Sequence, residues 1–491
     1  MASLVTLIRD MCYPTPHELA LAARALADEH PALVRLRQVG TSRGGAPLWL
    51  LSVGPSSGPS SGPSSGPSGG PDVRSGGSPD DGSDGSPDVR SDDGSDDGPD
   101  DGSGGGPRGG FRSGVQRGGG GVLVVAGAHA NEPVGGATAL ALARRLIRDP
   151  AHRVGCGWHF LLCADPDGAA LHRTPRPYSL LDYHRNFFRP PGPEQPEWAP
   201  SLLPPDRLPP ETRALTAVID ELRPFLQVSL HGTDLGGSWV QLTRDVPGLA
   251  EPFGKSAAEL RIPVETAASD AVGWPSPGPG IFVIPEPGSN AAGAFHTEDT
   301  RLSTWYHAHR YAGTTAIVEV PMWASDLVDD PAPHPDPRGA LRMLAARLTE
   351  DAARVAAVRA GVPDLVHHAD PAAAPLLRAV DWTLALIPLV AAEWTGAGAP
   401  AEATAAHIGS LDAFGRRLSL RAAAMLLRVL RAQGDPAAPA LDRLVTGWCE
   451  EFAARFQARW VPVATQVEHQ SRTVLAAYER LAGVPPVTPS P

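Results

Sequence analysis

His129 and Glu132 stand three positions apart in GAHANEP, just beyond an apolar run that begins at Gly121. Imidazole nitrogen and carboxylate oxygen are both zinc ligands. A two-residue gap on a turn lets the pair converge on one ion about 2.0 to 2.2 Å from each. Alone, such a pair is as easily a surface turn. His231 gives it context, because it too ends an apolar run, FLQVSLHGTD. Two His and one Glu, each at a strand end on one edge of a sheet, make a three-ligand site with a coordination position left for water. Glu319 lies in TTAIVEVPMW, flanked by Ala316, Ile317, Val318 and Val320. A carboxylate in so apolar a strand is costly unless it is paired, protonated or aimed at a cavity. Beside a bound ion it is placed to take a proton from water and return it to a leaving amine.

The elements that must position these residues alternate. PHELALAARALADEH, residues 16–30, has helical spacing, and VRLRQVG and PLWLLSVG read as two strands around the turn SRGG. From Gly121 the pattern is strand, loop and helix, with Pro133 suited to a first turn. It continues through GWHFLLCADPDG, then ETRALTAVIDELRP running into FLQVSLHGTD, then TTAIVEVPMW. This predicts an α/β fold with a mixed, mostly parallel central sheet flanked by helices, and ligands beyond the carboxyl ends of its strands. From about residue 338 the chain is Ala/Leu/Arg-rich at helical spacing, with breaks near 361–363, 396–400 and 434–436. An appended C-terminal helical region is expected there. The organisation is then a catalytic domain formed by residues 1–53 and 121–361, an insert over 54–120, and helices over 362–491.

The insert stands out by composition. It holds 22 of the 53 glycines in a chain of 491 residues, repeats GPSS every four residues from Gly54, and carries PDVRS twice. With four strongly apolar side chains it cannot build a core, and it reads as low-complexity, disordered coil replacing a short loop between neighbouring strands. Two catalytic-looking patterns inside it, GPSSG at 58–62 and the glycines at 104, 106 and 109, arise from that composition and lack the strand each motif requires.

Net charge is -12, of which the insert's 11 Asp and 5 Arg contribute half, so no basic face for nucleic acid is expected. Four cysteines without CxxC spacing do not form a disulfide scaffold. The N-terminus lacks the pattern of a secretory signal. The longest apolar run, Trp382 to Ala392, is 11 residues interrupted by Pro388, too short to cross a bilayer. A soluble, cytoplasmic protein without membrane contact is the expectation; oligomeric state is not legible.

Over residues 13–53 and 121–361 the sequence resembles the zinc carboxypeptidases of the carboxypeptidase A type. The resemblance rests on collinear motifs: YPTPHEL, VGTSRGGAPLWLLSVG, GAHANEP, DPDG, DYHRNFF, SLHGTD and AIVEVP. It implies one zinc ion on His129, Glu132 and His231, the His2Glu set already known for this enzyme class, with Glu319 as general base. It further implies that Arg185 binds the substrate's terminal carboxylate, for which its bidentate fork is suited. A cation for the developing oxyanion is expected from Arg173 or Arg176, with Arg173 favoured. Where the family has Asn before the carboxylate-binding Arg, this chain has His184, a donor whose charge changes near neutral pH. The family's mobile tyrosine has no counterpart in GAFHTED, leaving His296, Tyr306 and Tyr311 as substitutes. The side-chain pocket is expected near Ser303. The activity implied is removal of a C-terminal residue from a peptide. The alternatives are an amidase or deacylase acting on N-acyl amino acids or cell-wall peptides, and an inactive zinc-binding scaffold.

Overall fold

The structure is a computed structural model describing residues 12–54 and 120–483, apart from 154, 177, 272, 286–299, 363–372 and 397–398. The expected insert lies, but for its terminal glycines, outside the described residues, and so does His296. Among the described residues one sheet contains β1 (Val34–Thr41), β2 (Pro47–Val53), β3 (Val122–Ala126), β4 (Trp158–Leu161), β5 (Leu226–Gly236), β6 (Trp239–Leu242), β7 (Ile281–Val283), β8 (Thr314–Ala324) and β9 (Arg459–Trp460). Their order is β1-β2-β4-β3-β5-β8-β6-β7, with β9 on β8. The central β4-β3-β5-β8 ladders are all parallel, while β1, β2 and β6 are antiparallel to their inner neighbours. The mixed, mostly parallel centre is as the alternation predicts.

The helices are α1 (Pro16–Glu29), α2 (Val134–Arg148), α3 (Pro166–Leu171), α4 (Leu180–Arg185), α5 (Pro210–Leu222), α6 (Ala250–Leu260), α7 (Pro337–Ala360), α8 (Ala373–Thr395), α9 (Ala405–Gln433), α10 (Ala438–Arg455) and α11 (Val463–Ala482). They cover both faces of the sheet. On β3, Val122, Val124 and Ala126 join a core with α1, α2, α6 and α11, whereas Leu123 and Val125 join a second core against α5. A strand buried on both faces has to be apolar throughout, which is why β3 shows no alternation.

Several motifs turn out to serve the scaffold. In YPTPHEL, Thr15 and Glu18 close a capping box: Thr15 Oγ1 accepts the Glu18 amide at 3.2 Å and the Glu18 carboxylate accepts the Thr15 amide at 2.8 Å. The turn of SRGG docks on DPDG, where Ser42 Oγ and the Gly44 amide donate to Asp167 at 2.8 and 2.6 Å. Asp165 caps α3 by accepting the Gly168 amide at 2.9 Å.

One expectation changes: the insert does not bridge neighbouring strands, because β4 lies between β2 and β3 and pairs with both. The C-terminal helical region is present as expected, and it belongs to the same compact unit as the sheet. Gln470 of α11 shows the tie: its Nε2 donates to the carbonyl of His231 at 2.6 Å, and its Oε1 accepts from Thr138 Oγ1 at 2.7 Å. Helix α8 is 23 residues with mean hydropathy 1.5, long and apolar enough to cross a membrane by length and composition. Its Leu377, Val380, Ile387 and Val390, however, are buried in cores shared with α7 and α9.

Candidate active site

His129 is placed by a sharp turn at the end of β3. Gly127 has φ +61, and a Cβ there would lie 2.9 Å from Cys163 Sγ, so the position demands both glycine's backbone freedom and its lack of a side chain. The chain then turns through Ala130 and Asn131, with the Glu132 amide bonded to the His129 carbonyl at 3.1 Å, before α2 starts. His231 comes from β5, next to β3. These elements bring three donor groups to one point. His129 Nδ1 is 3.0 Å from both Glu132 oxygens, His231 Nδ1 is 2.9 Å from Glu132 Oε2, and the two Nδ1 atoms are 3.0 Å apart. Donors about 2.1 Å from a tetrahedral ion are separated by about 3.4 Å, so a small outward adjustment of this cluster accommodates one zinc.

Burial and the neighbouring Arg189 push His129 down to about 4, leaving a neutral imidazole. Burial alone would raise Glu132, but His129 and His231 hold it well below the ordinary carboxylate range. His231 is oriented from behind by Glu197, whose Oε2 lies 3.1 Å from Nε2. Nε2–H is thereby directed at that carboxylate, which leaves Nδ1 facing the cluster. Burial would lower His231, yet Glu197 and Glu132 together hold it well above its usual value, so Nδ1 must release a proton before it binds a metal ion. Glu197 is fully buried, also accepting from Ser229 Oγ at 2.6 Å and from Trp305 Nε1 at 2.9 Å. Its oxygens are thus engaged by Ser229, His231 and Trp305, although with His129 and His231 it also forms a group close enough to hold a metal ion.

Glu319 sits directly beside His231, its register partner in the parallel β5/β8 ladder, with Oε1 4.0 Å from His231 Nδ1. Its side chain is 12% exposed and faces the cavity lined by His129, Glu132 and His231. Burial and the Glu132 charge push it up to about 8, the environment that makes a carboxyl group useful in proton transfer near neutral pH.

The structure does not bring the other expected residues to this cavity. Arg185, at the end of α4, makes a two-pronged pair with Asp442 of α10 at 3.1 and 3.2 Å and also donates to Thr446. It is held behind the site. His184 is buried, bonded through Nδ1 to the Leu180 carbonyl at 2.8 Å and lying 3.4 Å from Asp234. Arg173 and Arg176 are exposed, and neither lines the cavity. Ser303 is buried, donating to the Thr300 carbonyl, while Tyr311 donates to Asp220 on the opposite side of α5. Tyr306, Tyr311 and Ser303 are all absent from the lining, which has Trp198, Trp239, Gln241, Asp270 and Trp305 in their stead.

Two functional positions escaped sequence reasoning. Arg189, one residue beyond DYHRNFF, directs Nη1 to Glu132 Oε1 and Nη2 to His129 Nε2, both at 3.0 Å. Its proximity to the motif was the available signal. Glu197, in the proline-rich loop PEQPEW, gave none, because nothing local ties it to a histidine 34 positions later.

The match to known families agrees with this geometry. Residues 22–239 match the family model described as zinc carboxypeptidase. The chain therefore carries a zinc carboxypeptidase domain, and its class is that of a metallopeptidase hydrolase. No curated protein matches it. Solved structures of similar fold include a metallo-carboxypeptidase from Burkholderia cenocepacia, 16% identical, with TM-score 0.32 over 63% of this chain and 60% of the other. Another is carboxypeptidase A from Helicoverpa armigera, 14% identical, with TM-score 0.31 over 64% of this chain and 66% of the other. A metallopeptidase candidate from Shewanella amazonensis is 13% identical, with TM-score 0.34 over 62% of this chain and 84% of the other.

Proposed function

We propose that the protein hydrolyses the C-terminal peptide bond of a peptide, with His129, Glu132 and His231 holding one zinc ion and Glu319 acting as general base. The ion would supply Lewis acidity toward a water molecule and the scissile carbonyl. Glu319 accepts a proton from the attacking water and delivers it to the departing amine. Arg189 places a guanidinium beside the ligand pair and offers positive charge where the carbonyl oxygen becomes anionic. That is the role expected of Arg173 or Arg176, moved to a residue that lies in the cavity. Glu197 keeps His231 in the required tautomer.

The observation that carries the reading is the register of β5 and β8: it puts a raised-pKa carboxylate 4.0 Å from a ring nitrogen of the donor cluster, on the cavity side. The second reading, hydrolysis of N-acyl amino acids by the same groups, is favoured by one feature. Trp382, Leu386 and Val390 of α8 line the cavity opposite the sheet, narrowing the room for a long peptide. Zinc-loaded protein incubated with a mixed peptide library and an N-acyl amino acid panel, with products read by mass spectrometry, separates the two. Loss of single C-terminal residues supports the first, acyl release alone supports the second, and no product from either sinks both.

A further inference from the structure

Helix α9 begins well past the span that matches the family, yet Arg417 and Arg421, one turn apart on it, line the same cavity as the donor cluster. Both pair with Asp234 of β5: Arg417 Nη1 lies 3.1 Å from Oδ1 and Arg421 Nη2 lies 3.1 Å from Oδ2. Asp234 has no exposed surface, and burial's upward pull on it is overcome by the two arginines, which hold it far below the carboxylate range. Asp234 takes one prong of each guanidinium, and Asp270 and Glu265, which line the same cavity, are further acidic neighbours of Arg417. Arg417 and Arg421 side chains are 13% and 14% exposed, and the Nε of each is buried without a hydrogen-bond partner. Both are held in place by rings, Arg417 over Phe414 at 5.8 Å and Arg421 over Phe187 at 4.8 Å.

Distance selects what they bind. Arg417 Nη1 donates at 2.6 Å to Thr233 Oγ1, two residues beyond His231 on the same strand. That separation is about 6 to 7 Å along β5. A substrate whose scissile carbonyl lies at the donor cluster has its own terminal carboxylate carbon three bonds further on, about 3.5 Å, and a hydrogen bond adds about 2.9 Å. The two spans agree. Arg185, whose fork is filled by Asp442, has no such access.

We propose that Arg417 and Arg421 form the carboxylate subsite of this enzyme, so that the C-terminal helical region, and not Arg185, recognises the free carboxylate of the substrate. This rests on the hydrolase reading for its geometry but is tested without turnover. Zinc-loaded full-length protein is titrated calorimetrically with 3-phenylpropanoic acid and with 3-phenylpropanamide. The acid binds about tenfold or more tightly than the amide. Arg417→Gln and Arg421→Gln bring the two within about twofold, and Arg185→Gln keeps the full preference. Should Arg421→Gln fail to fold because Asp234 loses one of its two arginines, the Arg421→Gln/Asp234→Asn double variant removes the unmatched charge and takes its place. Equal binding of acid and amide by the unaltered protein overturns the proposal without any variant. So does a preference that survives both α9 substitutions, or one that disappears in Arg185→Gln. Peptide cleavage is scored separately: acid preference without cleavage leaves the subsite standing and removes the peptidase reading, and cleavage without acid preference does the reverse.

Discussion

The cavity has two walls built on different principles. On one side β5 and β8, together with the turn after β3, hold ionisable groups 2.9 to 4.0 Å from their nearest neighbours, the strands being fixed in parallel ladders. On the other side α8 and α9 present aromatic and aliphatic surface in which the charges are Arg417 and Arg421. Strand residues converge because register leaves their side chains no alternative. Helices converge by packing, and Arg417 and Arg421 reach the cavity because they stand four apart on one helix whose neighbours are buried. The proposed roles divide in the same way, with bond breaking assigned to the sheet and recognition to the helices.

The strongest way to break that division is Glu319→Gln. It should reduce turnover by about 10²- to 10⁴-fold, while elemental analysis still finds one zinc per chain. An active Glu319→Gln would place proton transfer elsewhere and erase the distinction between the walls. Glu197→Gln tests the support behind the sheet edge. Chelator competition should show zinc held about 10- to 100-fold more weakly, because His231 loses the carboxylate that fixes its tautomer. Unchanged affinity would mean that Glu197 serves only Trp305 and Ser229.

Legibility follows the same division. GAHANEP, SLHGTD and AIVEVP disclose His129, Glu132, His231 and Glu319 because each interrupts an apolar run, although β5 and β8 continue beyond His231 and Glu319, and polar residues in such places are costly enough to stand out. Arg185 lies outside the cavity lining because a motif records where a residue lies along the chain and not where its side chain goes; Asp442, 257 positions away, decides that. Arg417 and Arg421 were invisible for the opposite reason. Arginines spaced along an Ala/Leu-rich helix read as a solvated face, and only the packing of α9 over β5 turns that face inward. The alternating fold was legible throughout, since it is carried by local periodicity. The position of β4 between β2 and β3 was not, because strand order depends on long-range pairing.

Acid stability sharpens the comparison on the helical side. His469 of α11 is buried between Ser256 and Ser238 at 2.8 and 2.9 Å, and burial pushes it down to about 3. His172, in the loop after α3, is likewise held at about 3 by burial and Arg428. Both are neutral in the fold and gain a proton on unfolding below about pH 6.5. The unfolded state then binds more protons, so stability is fully present above that value and falls as pH drops from about 6.5 toward 3. At pH 5 each costs about 2 kcal/mol. Denaturant titrations between pH 7 and 5 should show this loss, and His469→Gln should remove about half of the slope attributed to the pair. A flat profile would mean that α11 opens easily enough for His469 to be hydrated.

The smallest effect is expected where the sheet edge is interrupted. Gly54 and Gly121 both abut the backbone of Gly157 at the start of β4, one on each side. Two strand spacings, about 10 Å, separate β2 from β3, so a bridge of about five Gly/Ser residues spans the gap at about 3.3 Å per residue. Closure entropy changes by only about 0.6 kcal/mol per doubling of loop length, and His129, Glu132, His231 and Glu319 all lie outside the segment from 55 to 119. Replacing it with that bridge should leave kcat/KM within about a few-fold and the midpoint of unfolding nearly unchanged. A large loss of activity with the fold intact would give the repeat segment a part in substrate capture. A third contributor to the site would then stand beside the two walls.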